Sequence, residues 1–185
     1  MHKHLKSGYN SKGFDMYQEI LNFWFEETRP AQWWTKDDRF DQLIRDRFSD
    51  IHSRAVRCEL FAWRENGQGR LAEIIVLDQF SRNMFRGSPL AFANDQMALV
   101  LAQEAVSLGI DKLLPPTERG FIYLPFMHSE SLKIHEVAEQ IYRQNGSQSG
   151  LEWEIKHKVI IERFGRYPHR NEILGRKSTQ EELDF

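Results

Sequence analysis

The sequence predicts an all-α protein built of antiparallel helical hairpins. Three observations carry this expectation. Apolar residues recur at three- and four-residue spacing almost throughout, and no segment alternates with period two for long. The breaks between periodic segments are short and made of proline, glycine or polar clusters. Capping residues stand where many of those segments begin and end.

Taken in order, the first helix opens at Asp15, a good N-cap, and carries Ile20, Leu21, Phe23, Trp24 and Phe25. It ends at Arg29-Pro30, because the residue before proline leaves the helical region. A second helical stretch runs from about Asp37 to Trp63, with Phe40, Leu43, Ile44, Phe48, Ile51 and Ala55 in step, and Gly67 and Gly69 stop it. A third runs from Leu71 into the region of Asp78 to Phe85. Ser88-Pro89 reads as an N-cap followed by proline at the first helical position, opening a helix that Gly109 terminates. Pro115-Pro116 and Pro125 bracket a short apolar element. Ser129 opens a helix to Gln144, a polar loop follows over Asn145 to Gly150, and the last long helix covers Leu151 to Phe164. Ser178 and Glu181 have the spacing of a capping box. No repeat of fixed period is visible, and tetratricopeptide consensus residues are missing. The expected organisation is a flexible tail over residues 1–13, poor in apolar side chains, and one domain over 14–185.

Composition sets outer bounds on function. Of 185 residues, 41% are apolar and 28% charged, ordinary globular proportions that exclude disorder and low complexity. A chain of this length buries about 70% of its unfolded surface without a staple. No apolar run approaches the ~18 residues of a membrane span, and no secretory signal follows the basic start. The lone Cys58 forms no internal disulfide, which fits a reducing cytoplasm. A net charge of −2 argues against a dedicated nucleic-acid binder. That total hides a contrast: Lys156 to Lys177 balances to +5, and the remainder to −7. Such a segment serves as an anion site or as a set of internal salt-bridge partners.

The informative residues are charges on apolar faces. Asp78 and Arg82 fall in the middle of the apolar face defined by Leu71, Ile74, Ile75 and Phe85, four residues apart and able to pair. Gln79, Asn83 and Arg86 add donors and acceptors nearby. Glu130 shares a face with Ile134, Val137 and Ile141 in a first helical turn, and Asp95 lies beside Leu99, Ala102 and Val106. Buried charges require partners, so these acids and the basic C-terminal segment invite each other. The densest constellation there is RFGRYPHRNEILGR, Arg163 to Arg176, in which arginine forks match carboxylate or phosphate oxygens in pairs and His169 has the chemistry of a proton carrier.

Searches for other chemistry end without a site. His157 lies on the stripe of Trp153, Ile160 and Phe164, the position of a core histidine. His128 and His135 are about 10.5 Å apart along a helix axis, too far to share one metal. His135 and Glu139 have i,i+4 spacing, Cys58 sits mid-helix as a small buried residue, and the tryptophans read as core. Nucleophile elbow, Walker loop and dinucleotide fingerprint are all missing. Neither metal nor cofactor is expected.

Three motifs carry a resemblance. LDQFSRNMFRG at Leu77–Gly87, LPFMHSE at Leu124–Glu130 and RFGRYPHRNEILGR at Arg163–Arg176 resemble a bacterial family of uncharacterised proteins, domain of unknown function nine hundred and twenty-four. Phe23-Trp24-Phe25 and Phe40-Asp41 extend the likeness from about Ile20 to Phe185. The resemblance implies a tetratricopeptide-like α-superhelical fold and no established activity. The family pattern has proline where this chain has Ser81, implying a kink there, and glutamine where it has His135.

The reading that follows is a polar, arginine-rich pocket recognising a small anion or a peptide carboxylate. Arg82, Arg166 and Arg170 supply positive charge, Asp78 and Glu130 orient them, and Asn83 and His169 give directional hydrogen bonds. Two rivals stand beside it: an enzyme with His169 or Glu130 as acid–base, and an interaction scaffold whose charged groups are purely structural.

Overall fold

A computed structural model describes residues 10–185, with side chains from Met16 onward. Most of the tail expected over 1–13 lies outside the described residues. The protein is all-α, and among the described residues there is no strand. Its helices are α1 (Asn10–Asn22), α2 (Pro30–Trp34), α3 (Asp38–Val56), α4 (Gly67–Ile75), α5 (Ser81–Met84), α6 (Asp95–Ser107), α7 (Pro116–Met127), α8 (Leu132–Asn145), α9 (Gln148–Phe164) and α10 (Gln180–Asp184).

The segment containing α4 is the axis of the fold. Every residue from Leu71 to Ser81 is buried, and a helix apolar on all sides belongs in the interior. Here α1, α6 and α7 pack around it. Between α4 and α5 the chain widens into a π-turn over Val76–Phe80, an insertion often found at functional sites. Phe23, Phe48, Phe80 and Trp24 stack about this axis, with ring centroids 4.9 Å apart for Phe23 and Phe48. Burial of one such side chain stabilises the fold by about 1.5–3 kcal/mol. On the far side α7, α8 and α9 pack in sequence. Gly146 alone, at φ +75°, turns α8 back before Ser147 caps α9, so these two neighbours run antiparallel.

Several boundaries differ from expectation for physical reasons. Helix α1 begins five residues ahead of Asp15, at Asn10, and ends in a second π-turn over Phe23–Glu27 before the expected stop at Pro30. Pro30 itself opens the short α2, which carries Trp33 and Trp34. The long second helix ends at Val56, because Cys58 takes φ +58° and breaks it. Cys58 is therefore exposed at a helix end, not buried within one. Gly67 and Gly69 do not stop a helix but start α4, capped by Asn66 Oδ1 2.8 Å from the Gly69 nitrogen. Ser88-Pro89 opens only one 3₁₀ turn, and the helix proper begins at Asp95. Pro125 lies inside α7 near its end. Ser131 replaces Ser129 as the residue ahead of α8, and half of the expected loop at 145–150, Gln148 to Gly150, is the first turn of α9. The C-terminal capping box is Thr179 with Glu182, one residue on from Ser178 and Glu181.

Candidate functional site

Charges predicted on apolar faces do find partners, but in several separate places. The largest cluster lies where the π-turn, α5, α6 and the C-terminal loop meet. Arg82 reaches Asp78 at 3.0 Å and clasps both carboxylate oxygens of Asp95 at 2.9 and 3.0 Å. Arg170 enters from the C-terminal loop, 3.2 Å from Asp95 and 3.0 Å from the His128 carbonyl, with its guanidinium over Phe92 and Tyr167. Two acids thus face two guanidinium groups in a buried setting. Burial opposes ionisation of Asp78, but Arg82 and His128 outweigh it and hold the carboxyl well below the usual carboxylate range. Burial lowers the pKa of Arg170, with Asp95 opposing and Arg82 adding to the shift.

The remaining candidates separate from this centre. Asn83 turns to Asp41 at 2.7 Å, where Arg86 binds the same carboxylate with two nitrogens. Glu130 accepts from the Tyr167 backbone nitrogen at 2.7 Å and pairs with Arg176, not with Arg166 or Arg170. Arg166 clasps Glu182 at 2.6 and 2.7 Å and so ties down α10. His169 lies exposed against the Tyr167 ring, its pKa lowered to about 4 by loss of hydration and by the Arg170 charge. His135 is fully buried, 2.7 Å from Glu154 and 2.8 Å from the Ser129 carbonyl, while Glu139 pairs with Lys158 and Arg143. The seven candidates therefore do not line one arginine-rich pocket: Arg82, Arg166 and Arg170 are each engaged by a carboxylate.

The main cavity opens elsewhere, with a volume of about 590 Å³ between α2, α7, α8 and α9. Trp33, Trp34 and Phe121 form one wall; Trp34 stacks on Phe121 with ring planes 5° apart, and Trp33 meets Phe121 edge-on. Trp153 and His157 come from α9, and Tyr142 and Asn145 from α8. Trp34 and Trp153 are 65% and 57% exposed, an unusual placement for the largest apolar side chain. Tyr142 Oη and Asn145 Oδ1 are buried without a hydrogen-bond partner. No lysine, arginine, aspartate or glutamate lines this cavity among the described residues. His157, expected in the core, is only half-buried, with Nδ1 bonded to the Trp153 carbonyl.

His128 joins the two places. It lines the cavity, and its Nδ1 lies 2.8 Å from Asp78 in the ionic centre behind. Asp78 is ionised and only accepts, so Nδ1 carries the proton. Burial, reinforced by Arg82 and opposed by Asp78, lowers the His128 pKa. The ring is therefore neutral near pH 7, and its Nε2, which has no hydrogen-bond partner among the described residues, offers a bare lone pair. Gln79 fixes the other Asp78 oxygen at 2.6 Å. Among the described residues no group of three or more His, Cys, Asp or Glu is placed to hold a metal ion, and no helix is long and apolar enough to cross a membrane.

Comparison with known proteins places this geometry. Residues 20–185 match a bacterial protein family of unknown function, DUF924. The chain belongs to the DUF924 family. A solved protein of unknown function from Agrobacterium tumefaciens, ATU0120, is similar to it at 39% identity and a TM-score of 0.88, over 92% of this chain and 96% of that one. No curated protein matches.

In this DUF924 protein the three motifs meet pairwise, at the buried ionic centre and at the separate Glu130–Arg176 pair. The first supplies Asp78 and Arg82, the second His128 and Glu130, the third Arg170 and Arg176. The sequence offers His128 only as a metal ligand and leaves Asp95 out of the proposed pocket, although Asp95 bridges both guanidinium groups. Trp33, Trp34 and Trp153 escaped because helical spacing alone reads them as core.

Proposed function

We propose that this protein binds a small, planar, largely apolar organic molecule between the tryptophans of α2 and α9. The observation that carries this reading is the aromatic cavity with two neutral histidines in its wall, His128 and His157. Pockets for small molecules are mostly apolar with a few convergent polar groups, and this one has that balance. His128 Nε2 accepts a hydrogen bond from an N–H or O–H on the ligand. The small-anion or peptide-carboxylate reading is disfavoured, because carboxylates of the chain already occupy Arg82, Arg166 and Arg170. The core contacts from Tyr17 to Leu151 support treating residues 14–185 as one domain, and the resemblance alone supports a tetratricopeptide-like arrangement for it.

The test is a fluorescence and melting screen with planar aromatic alcohols and amides beside phosphate and dicarboxylates. A ligand at a hundred times its dissociation constant adds about 2.7 kcal/mol of stability and quenches the cavity tryptophans. Gly120 faces open space in the wall, so Gly120→Leu fills the cavity and abolishes the effect. Stabilisation by anions alone, lost in Arg166→Ala, would return the argument to the arginines.

A further inference from the structure

We propose that the cavity is also a hydrolytic active site, in which His128 acts as general base toward water on a neutral carboxylic ester with an aromatic or other planar apolar group. This inference rests on the binding reading above and adds chemistry to it. The geometry that points to it is the Asp78–His128 pair. Asp78 Oδ1 fixes the imidazole by its Nδ1 proton at 2.8 Å, and Gln79 and Arg82 fix Asp78 in turn. Rotation of the ring is blocked, and the basic nitrogen is the one without a protein partner. A base held in one tautomer by a buried carboxylate is the arrangement general base catalysis requires.

The cavity lining selects the substrate. Phosphoester cleavage needs positive charge on the transferring group, and no lysine or arginine lines this wall among the described residues. Glycoside cleavage needs two carboxyl groups flanking the bond, and none lines it either. An uncharged acyl compound remains, its planar group against Trp33, Trp34 and Trp153. In the reaction, Nε2 takes a proton from water as the water oxygen bonds to the acyl carbon. The carbonyl π pair moves onto oxygen. Collapse of that oxyanion expels the alcohol oxygen, which takes the proton back from Nε2, leaving a carboxylic acid that ionises in water. Tyr142 contributes ring surface to this wall; its hydroxyl is buried behind it and keeps its proton, since burial raises its pKa well above its usual value.

The charged and titratable groups around His128 set its pH behaviour. They are Asp78 on the π-turn, Arg82 on α5, Asp95 on α6, His157 on α9, and His169 and Arg170 on the C-terminal loop. Arg82 works against protonation and Asp78 for it, with burial deciding toward the neutral ring.

The experiment uses 4-nitrophenyl benzoate on the full chain carrying Cys58→Ser, which removes the exposed thiol as a competing nucleophile. Saturable release of nitrophenolate is expected, level above pH 6.5 and declining only on the acid side. His128→Gln loses at least ~10²-fold in kcat/KM while 4-nitrophenol still quenches its tryptophan fluorescence. His169→Gln, outside the cavity, hydrolyses like the parent. Quenching by 4-nitrophenol without hydrolysis above the buffer rate overturns the catalytic inference and leaves the binding site standing. Absence of quenching as well overturns both. Hydrolysis that survives His128→Gln in a variant with parental circular dichroism overturns the role of His128.

Discussion

Asp95 is the residue on which the buried ionic centre turns. Among the described residues it is the carboxylate that bonds both Arg82 and Arg170, and removing it leaves two guanidinium groups facing each other across a buried gap. Breaking such a pair from one side costs about 3–5 kcal/mol, because the surviving charge stays buried. Asp95→Ala is expected to lose that much stability in urea denaturation; a loss under about 1 kcal/mol would show that water reaches and screens the centre. At this scale the sequence was partly legible. A helical wheel identifies a charge on an apolar face, so Asp78, Arg82, Asp95 and Glu130 stood out. It does not identify the neighbour across the interface. Arg166 was thus grouped with a pocket when its partner is Glu182, and Asn83 when its partner is Asp41. His128 lacked a recognisable role because its partner Asp78 lies fifty residues away in the chain.

At the scale of the element, glycine placement separates packing from opening. A Cβ added to Gly69 would lie 2.0 Å from the Trp63 carbonyl oxygen, so α4 starts where backbone meets backbone and only glycine fits. Gly69→Ala is expected to cost about 1–3 kcal/mol through overpacking. Gly120 within α7 has open space around it, so Gly120→Ala is expected to stabilise the helix by roughly 0.5–1 kcal/mol. Thermal melts of the two variants should move in opposite directions; movement in the same direction would contradict this account of both sites. Element type was readable from periodicity because every long segment keeps one face apolar. Ends were less readable, since capping spacings recur by chance one residue apart, as with Ser178–Glu181 beside Thr179–Glu182. The π-turns left no local signature. The one at Val76–Phe80 shifts the helical register just ahead of Ser81, whose hydroxyl bonds back to the Leu77 carbonyl at 2.6 Å and meets His52 at 2.8 Å. The expected irregularity at Ser81 therefore exists one turn earlier, and Asp78 still pairs with Arg82 across it.

For the whole molecule, histidine burial sets the response to acid. His52, His128 and His157 have pKa values below the ordinary one, first because each loses hydration, with Arg82 adding to the shift at His128 and Arg170 at His157. In the unfolded chain each titrates near ~6.5. Between that pH and the lower native values the unfolded state binds more protons, so stability is complete above about pH 6.5 and falls as acid is added. Glu154 acts in the opposite sense: burial raises its pKa, so its contribution is present at low pH and fades as pH rises through the folded value. Glu118, also raised by burial, acts as Glu154 does, and these two acids oppose three histidines, which prevail because their unfolded values lie inside the range from about pH 5 to 7. Asp78 and Glu130, held below the usual carboxylate range, add their losses only below about pH 4. The melting temperature is therefore expected to be level from pH 7 to 8 and to fall on the order of 5 °C by pH 5. His128→Gln should flatten part of that decline, since a glutamine in its place has no proton to gain. A melting temperature that stays constant or rises between pH 7 and 5 would mean these rings are hydrated in solution, and with them the neutral His128 on which both the binding and the hydrolytic readings depend.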